Sequence, residues 1–112
     1  MATQDFSMIA GDTKVLTVTV RDPSTGDPVS IVDASITWKA SKSVGRTVVL
    51  TKTTAAGISI TDGANGVFTI TLAAANTVGF SGSYIHEAKV TFSDGTVQRV
   101  LRGMMHVEPA LT

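Results

Sequence analysis

Two histidines, His86 and His106, carry the side chains best suited to proton transfer or metal binding at neutral pH. A metal site needs three or four converging ligands. The chain has no cysteine, and neither imidazole has a carboxylate at a fixed spacing, so the pair falls short of one. His86 is expected to pack in or beside the core, and His106 to lie near a strand end. Nucleophilic chemistry has no better foothold, because no Gly-x-Ser-x-Gly elbow is present and no serine sits at a strained strand-to-helix turn. Asp62-Gly63-Ala64-Asn65-Gly66 gathers oxygen atoms but lacks the spacing and terminal glutamate of an EF-hand loop, so it reads as a turn. Gly79, Gly82 and Gly95 do not have phosphate-loop spacing. The expectation is no catalytic residue, no cofactor, no metal and no small-molecule substrate: a protein that is not an enzyme.

The large aromatics Trp38 and Tyr84 pose a different question. Exposed, they would stack on sugar rings, as on a carbohydrate-binding sandwich. Aromatic residues make up only 5% of the chain, and Trp38 alternates with Ile36, which places it on a core face. Tyr84 follows Gly82-Ser83 at the start of a strand, the position of a tyrosine corner whose hydroxyl bonds back to the upstream backbone. Asp94-Gly95 is a hairpin signal. Trp38, Gly82, Tyr84, Asp94 and Gly95 are therefore expected to be structural. Met104 and Met105 are adjacent on a strand and face opposite ways.

Short strands at regular spacing must position these residues. Asp5 to Ile9 is a first edge segment. Lys14 to Arg21 follows, with Leu16, Val18 and Val20 on one face and Val15, Thr17 and Thr19 on the other. Asp22 to Pro28 holds two prolines and a glycine and reads as a loop. Further strands are predicted at Ser35–Ala40, Thr47–Lys52 (Val48 and Leu50 against Val49), Ile58–Ile60 and Val67–Leu72. The turn before Val67 is expected to use Gly and Asn at positive φ. Ala73 to Thr77 reads as one helical turn crossing between sheets. Tyr84 to Phe92 is read as the longest strand, and a last strand runs to about Val107.

A tight Asp94-Gly95 turn would pair Phe92 with Val97 and Glu87 with Arg102, but would also set Arg99 beside Val90 on the apolar face. A bulge or a three-residue loop would move Arg99 out, because a one-residue slip exchanges the faces. The sequence is compatible with both registers.

Composition bounds the rest. At 112 residues, 43% of them hydrophobic, the chain is one folded domain spanning 1–112, with a core from about 5 to 107. The class is all-β: an immunoglobulin-like antiparallel β-sandwich of about seven to eight strands with a helical turn near 73–77. Nine basic and nine acidic residues cancel, and no basic run marks a nucleic-acid partner. No apolar stretch reaches membrane-spanning length, and the first residues lack a secretory signal pattern. Folding in a reducing cytoplasm is the expectation.

One set of motifs reaches further. Phe6-x-x-x-x-Gly11-Asp12-Thr13, Gly57-Ile58-x-Ile60-x-Asp62, Gly66-Val67-x-x-Ile70-x-Leu72, Gly82-x-Tyr84, Asp94-Gly95 and Gly103-x-Met105-x-Val107 succeed one another along the chain. Together they resemble the small immunoglobulin-like sandwich domains of tailed bacteriophages and prophages, the N-terminal domain of baseplate upper proteins among them. The resemblance implies a virion structural protein of tail, baseplate, fibre attachment or virion surface, assembled in the bacterial host cytoplasm. It would act by docking against other virion proteins and against its own copies, without nucleic acid or membrane insertion. No coiled coil or receptor-binding module follows Val107 in this sequence. A carbohydrate- or cell-surface-binding module is the alternative.

Overall fold

Branched residues alternating with threonines make Lys14–Thr19 a strand with one dry face: Leu16 and Val18 are buried while Val15 is half exposed. The same rule repeats along the computed structural model, which describes residues 2–112. Its strands are β1 (Ala2–Thr3), β2 (Phe6–Ile9), β3 (Lys14–Thr19), β4 (Ser35–Ser41), β5 (Val48–Thr53), β6 (Ile58–Asp62), β7 (Val67–Leu72), β8 (Gly82–Thr91) and β9 (Val97–Glu108). Two single 3-10 turns lie at Gly63–Asn65 and Ala74–Asn76.

Two sheets face each other. The larger has the order β1-β9-β8-β4-β5, with β2 continuing along β9 beyond β1. The smaller has the order β3-β7-β6. Ile36, Trp38, Ala88, Val90, Leu101, Met105 and Val107 of the first sheet close on Leu16, Val18, Phe68, Ile70 and Leu72 of the second. The architecture is an all-β sandwich, antiparallel except where β1 and β2 run parallel to β9. β1 and β2 are two pieces of one edge strand broken at Gln4-Asp5, which brings nine assigned segments down to the expected number.

The crossover from β7 to β8 is a single helical turn, as the alanine run implied. The Asn76 side chain accepts the Ala73 N–H at 2.7 Å, which closes it. The buried Thr77 hydroxyl accepts the Gly11 N–H at 3.0 Å and fastens the crossover to the β2–β3 turn.

Several expectations are corrected. β9, with 12 residues, is the longest strand, ahead of β8 with 10. In the turn before β7 only Gly66 has positive φ (73°), because a 3-10 turn takes up Gly63 to Asn65. Val48 and Val49 are both exposed, since a bulge beside Ser41 breaks the alternation of β5.

The hairpin register, open in the sequence, is decided by a three-residue loop and a bulge. Gly95 alone takes the left-handed conformation (φ 90°), and its N–H bonds to the Phe92 carbonyl at 2.9 Å. The Phe92 N–H bonds to the Thr96 carbonyl at 2.8 Å, so the loop has three residues and Thr91, not Phe92, faces Val97. A second irregularity beside Ala88 leaves Val100 unpaired and shifts the register back by one. Val100 and Leu101 therefore both turn inward, Arg99 lies opposite Lys89 instead of Val90, and Glu87 still meets Arg102.

Candidate functional site

The buried imidazole of His86 lies where the broken edge strand meets the sheet. Trp38 on β4 and His86 on β8 project into the core, 0% and 1% exposed. The Trp38 indole N–H donates to His86 Nδ1 at 3.0 Å, and His86 Nε2 lies 2.7 Å from the Gln4 carbonyl. An indole N–H can only donate, so His86 Nδ1 must be the unprotonated nitrogen and Nε2–H the donor to Gln4. The result is a directed chain from Trp38 through neutral His86 to the backbone of the first strand. Phe6 closes over the imidazole edge-on, with ring centroids 5.2 Å apart.

Gly103 makes this geometry possible. It pairs with His86 across the β8–β9 ladder, and a Cβ there would stand 2.1 Å from the Gln4 carbonyl oxygen. The first strand breaks at this point. The Asp5 carboxylate accepts the Met104 N–H at 2.9 Å before β2 resumes pairing at Phe6. Nothing in residue spacing announces a contact between positions 4 and 86. A glycine inside a long strand pattern was the available signal, since it marks close backbone approach.

Burial pushes the His86 imidazole below its ordinary value, against the opposing pull of the Gln4 hydrogen bond and the Asp5 charge. A group with a depressed folded-state pKa favours unfolding once the unfolded chain begins to bind its proton. Stability from this site is thus fully present above the unfolded value near 6.5 and is lost as pH falls toward the folded value. Urea midpoints measured from pH 8 down to 5.5 should decline below about 6.5, and the decline should vanish in His86→Leu. A flat wild-type profile over that range would refute the assignment.

Tyr84 is 4% exposed, and its hydroxyl accepts the Ser81 N–H at 3.1 Å. Phe80 stacks on it at 5.2 Å, and Lys42 Nζ stands 4.2 Å from its ring centre. Gly82 (φ 92°) makes the turn into β8 just before it. Tyr84→Phe should lower stability by about 1 kcal/mol, the worth of one hydrogen bond. Chemical denaturation reads that loss, and an unchanged midpoint would mean that the hydroxyl bond contributes nothing.

Asp94 and Gly95 sit at the exposed hairpin tip. Hydrogen bonds from Thr96, side chain first and backbone second, hold the Asp94 carboxyl below its ordinary value. His106 faces outward near Ser83, its Nδ1 3.3 Å from the hydroxyl, on the opposite side of the sheet from His86. The two histidines therefore do not come together. Among the described residues no three His, Asp or Glu side chains gather as metal ligands, and no helix is long and apolar enough to cross a membrane.

The outer face of the large sheet carries a charged cluster. Arg102 Nε donates to Glu87 at 2.9 Å, with Arg99 Nε 3.6 Å from the same carboxylate. Beside them a shallow cleft of about 150 Å³ is lined by Lys39, Val44, Val48 and Ile85.

No family model matches this sequence, and no curated protein does. Among solved structures, CopC from Methylosinus trichosporium OB3b is similar, with a TM-score of 0.52 at 19% identity over 95% of this chain and 85% of that one. Tim-1 is similar with a TM-score of 0.44 at 14% identity, over 100% of this chain and 97% of that one. The first likeness is one of fold: this chain is an immunoglobulin-like β-sandwich.

Proposed function

We propose that this chain is a structural protein of a tailed phage or prophage virion, acting as a rigid module that docks against neighbouring proteins. One observation carries the docking part. Trp38, His86 and Tyr84 are all buried and committed to internal hydrogen bonds, and the exposed His106 joins no cluster of metal-ligating side chains among the described residues. What the protein presents outward is sheet face and strand edge, surfaces that recognise other proteins by shape and backbone pairing. The virion part rests on the succession of motifs from Phe6 to Val107.

Burial of both Trp38 and Tyr84 weighs against the alternative of a sugar-binding module, which needs an exposed aromatic platform. Co-expression of the tagged chain with the products of its neighbouring genes tests the proposal. Co-purification of a tail or baseplate protein in fixed ratio is the expected result. Binding to isolated cell-wall glycans instead, with no protein partner retained, would overturn it.

A further inference from the structure

A sandwich of two open sheets has four strand edges, and three of them are guarded in this chain. β5 carries Lys52 on its inward side and a bulge opposite Ala40–Ser41. β6 is broken by a shift at Ile60–Asp62 and ends on a carboxylate. The β1–β2 edge is interrupted at Gln4-Asp5. β3 has none of these devices: Lys14–Thr19 is unbroken, holds no proline, and bears its one charge at the end.

The direction of its free groups follows from the ladder. The Thr71 N–H bonds to the Gly57 carbonyl at 2.8 Å, away from β3, so its partner Val15 also points its N–H and C=O away from β7. Alternation then aims the N–H and C=O of Val15, Thr17 and Thr19 at the open edge. The Val20 N–H, of opposite parity, bonds inward to the Gly66 carbonyl at 2.8 Å. Among the described residues no strand pairs with β3 on its outer side.

We propose, resting on the docking reading above, that β3 is the self-association edge. Two copies pair β3 with β3 antiparallel about a two-fold axis at Thr17. Thr17 then faces Thr17 of the second copy and Val15 faces its Thr19, each pair exchanging two backbone hydrogen bonds. The two three-stranded sheets join into one. A parallel arrangement would set the two Lys14 ammonium groups side by side. The antiparallel one sends them to opposite ends, each opposite the uncharged Val20 of the other copy. Val15, Thr17, Thr19, Val67, Thr69 and Thr71 form an outer face without charge, so no like charges oppose each other across the axis.

Sedimentation velocity up to about 1 mM, combined with amide hydrogen exchange, tests this on the intact chain. A dimer is expected, with the Val15, Thr17 and Thr19 amides slowing as concentration rises. Thr17→Pro removes an outward donor, and Thr17→Lys sets two cations on the axis. Each should weaken dimerisation at least roughly tenfold while shifting thermal unfolding little. Mixing Thr17→Lys with Thr17→Glu should restore pairing. Undiminished dimers in both the proline and lysine variants would overturn the β3 contact and leave docking by another surface standing. A wild type that stays monomeric throughout would overturn self-pairing, while co-purification with a tail protein would still speak for docking.

Discussion

Replacing Gly103 with alanine should lower the thermal midpoint by roughly 10–15 °C and strip the first strand from the sheet, a loss of about 3 kcal/mol. The new methyl carbon would stand 2.1 Å from the Gln4 carbonyl oxygen, a distance that no pair of such atoms can hold. The obstacle is backbone and cannot rotate aside. Either β9 bends, against its pairing with β8 along ten residue pairs, or the segment from Thr3 to Asp5 lifts away. The second is cheaper, because β1 pairs only two residues. Lifting it breaks the His86–Gln4 hydrogen bond and loosens Phe6 from the imidazole. Hydrogen exchange should show lost protection from Gln4 to Ala10, with β3, β7 and β8 unchanged. An alanine variant as stable as wild type would mean that the first strand does not lie where the structure places it.

Trp38→Ala should cost about 4 kcal/mol, enough to consume much of the 5–15 kcal/mol typical of a domain. The indole is fully buried between the sheets, so its removal leaves a cavity that neighbouring strands can close only in part. It also takes away the only donor to His86 Nδ1, leaving that nitrogen buried and unsatisfied. Trp38→Phe separates the two effects. It refills most of the space but not the hydrogen bond, and should recover about half of the loss. Far-UV circular dichroism is the readout, since the chain has a single tryptophan and these variants have none. Equal stability of the alanine and phenylalanine variants would show that packing around Trp38 counts for little.

The strands were legible in the sequence because their signal is local. Leu16, Val18 and Val20 on one face, or Tyr84, His86, Ala88 and Val90, need only alternation to be read. The β8–β9 pairing shows where such reading stops. Counting from a tight Asp94-Gly95 turn sets Glu87 opposite Arg102, and that pair is present, yet it arises from two irregularities that cancel. The bulge at Val100 has no local marker. It exists because Val100 and Leu101 both gain burial, a preference set by the opposing sheet. The parallel docking of Phe6–Ile9 on β9 and the reach of His86 to Gln4 join residues at opposite ends of the chain, and periodicity says nothing about such contacts. Tyr84 was legible in part, because Gly82-Ser83 before it marks a corner that its hydroxyl then ties to Ser81.

These contacts describe a module whose interior chemistry serves its own rigidity and whose edges face outward. The proposed place of the module is as a fixed part of a virion. Mass spectrometry of particles purified by density gradient from the induced host tests this most directly. The account predicts peptides of this chain in the particle band, in constant ratio to the tail proteins across preparations. Finding the chain in the lysate while purified particles lack it would contradict the account.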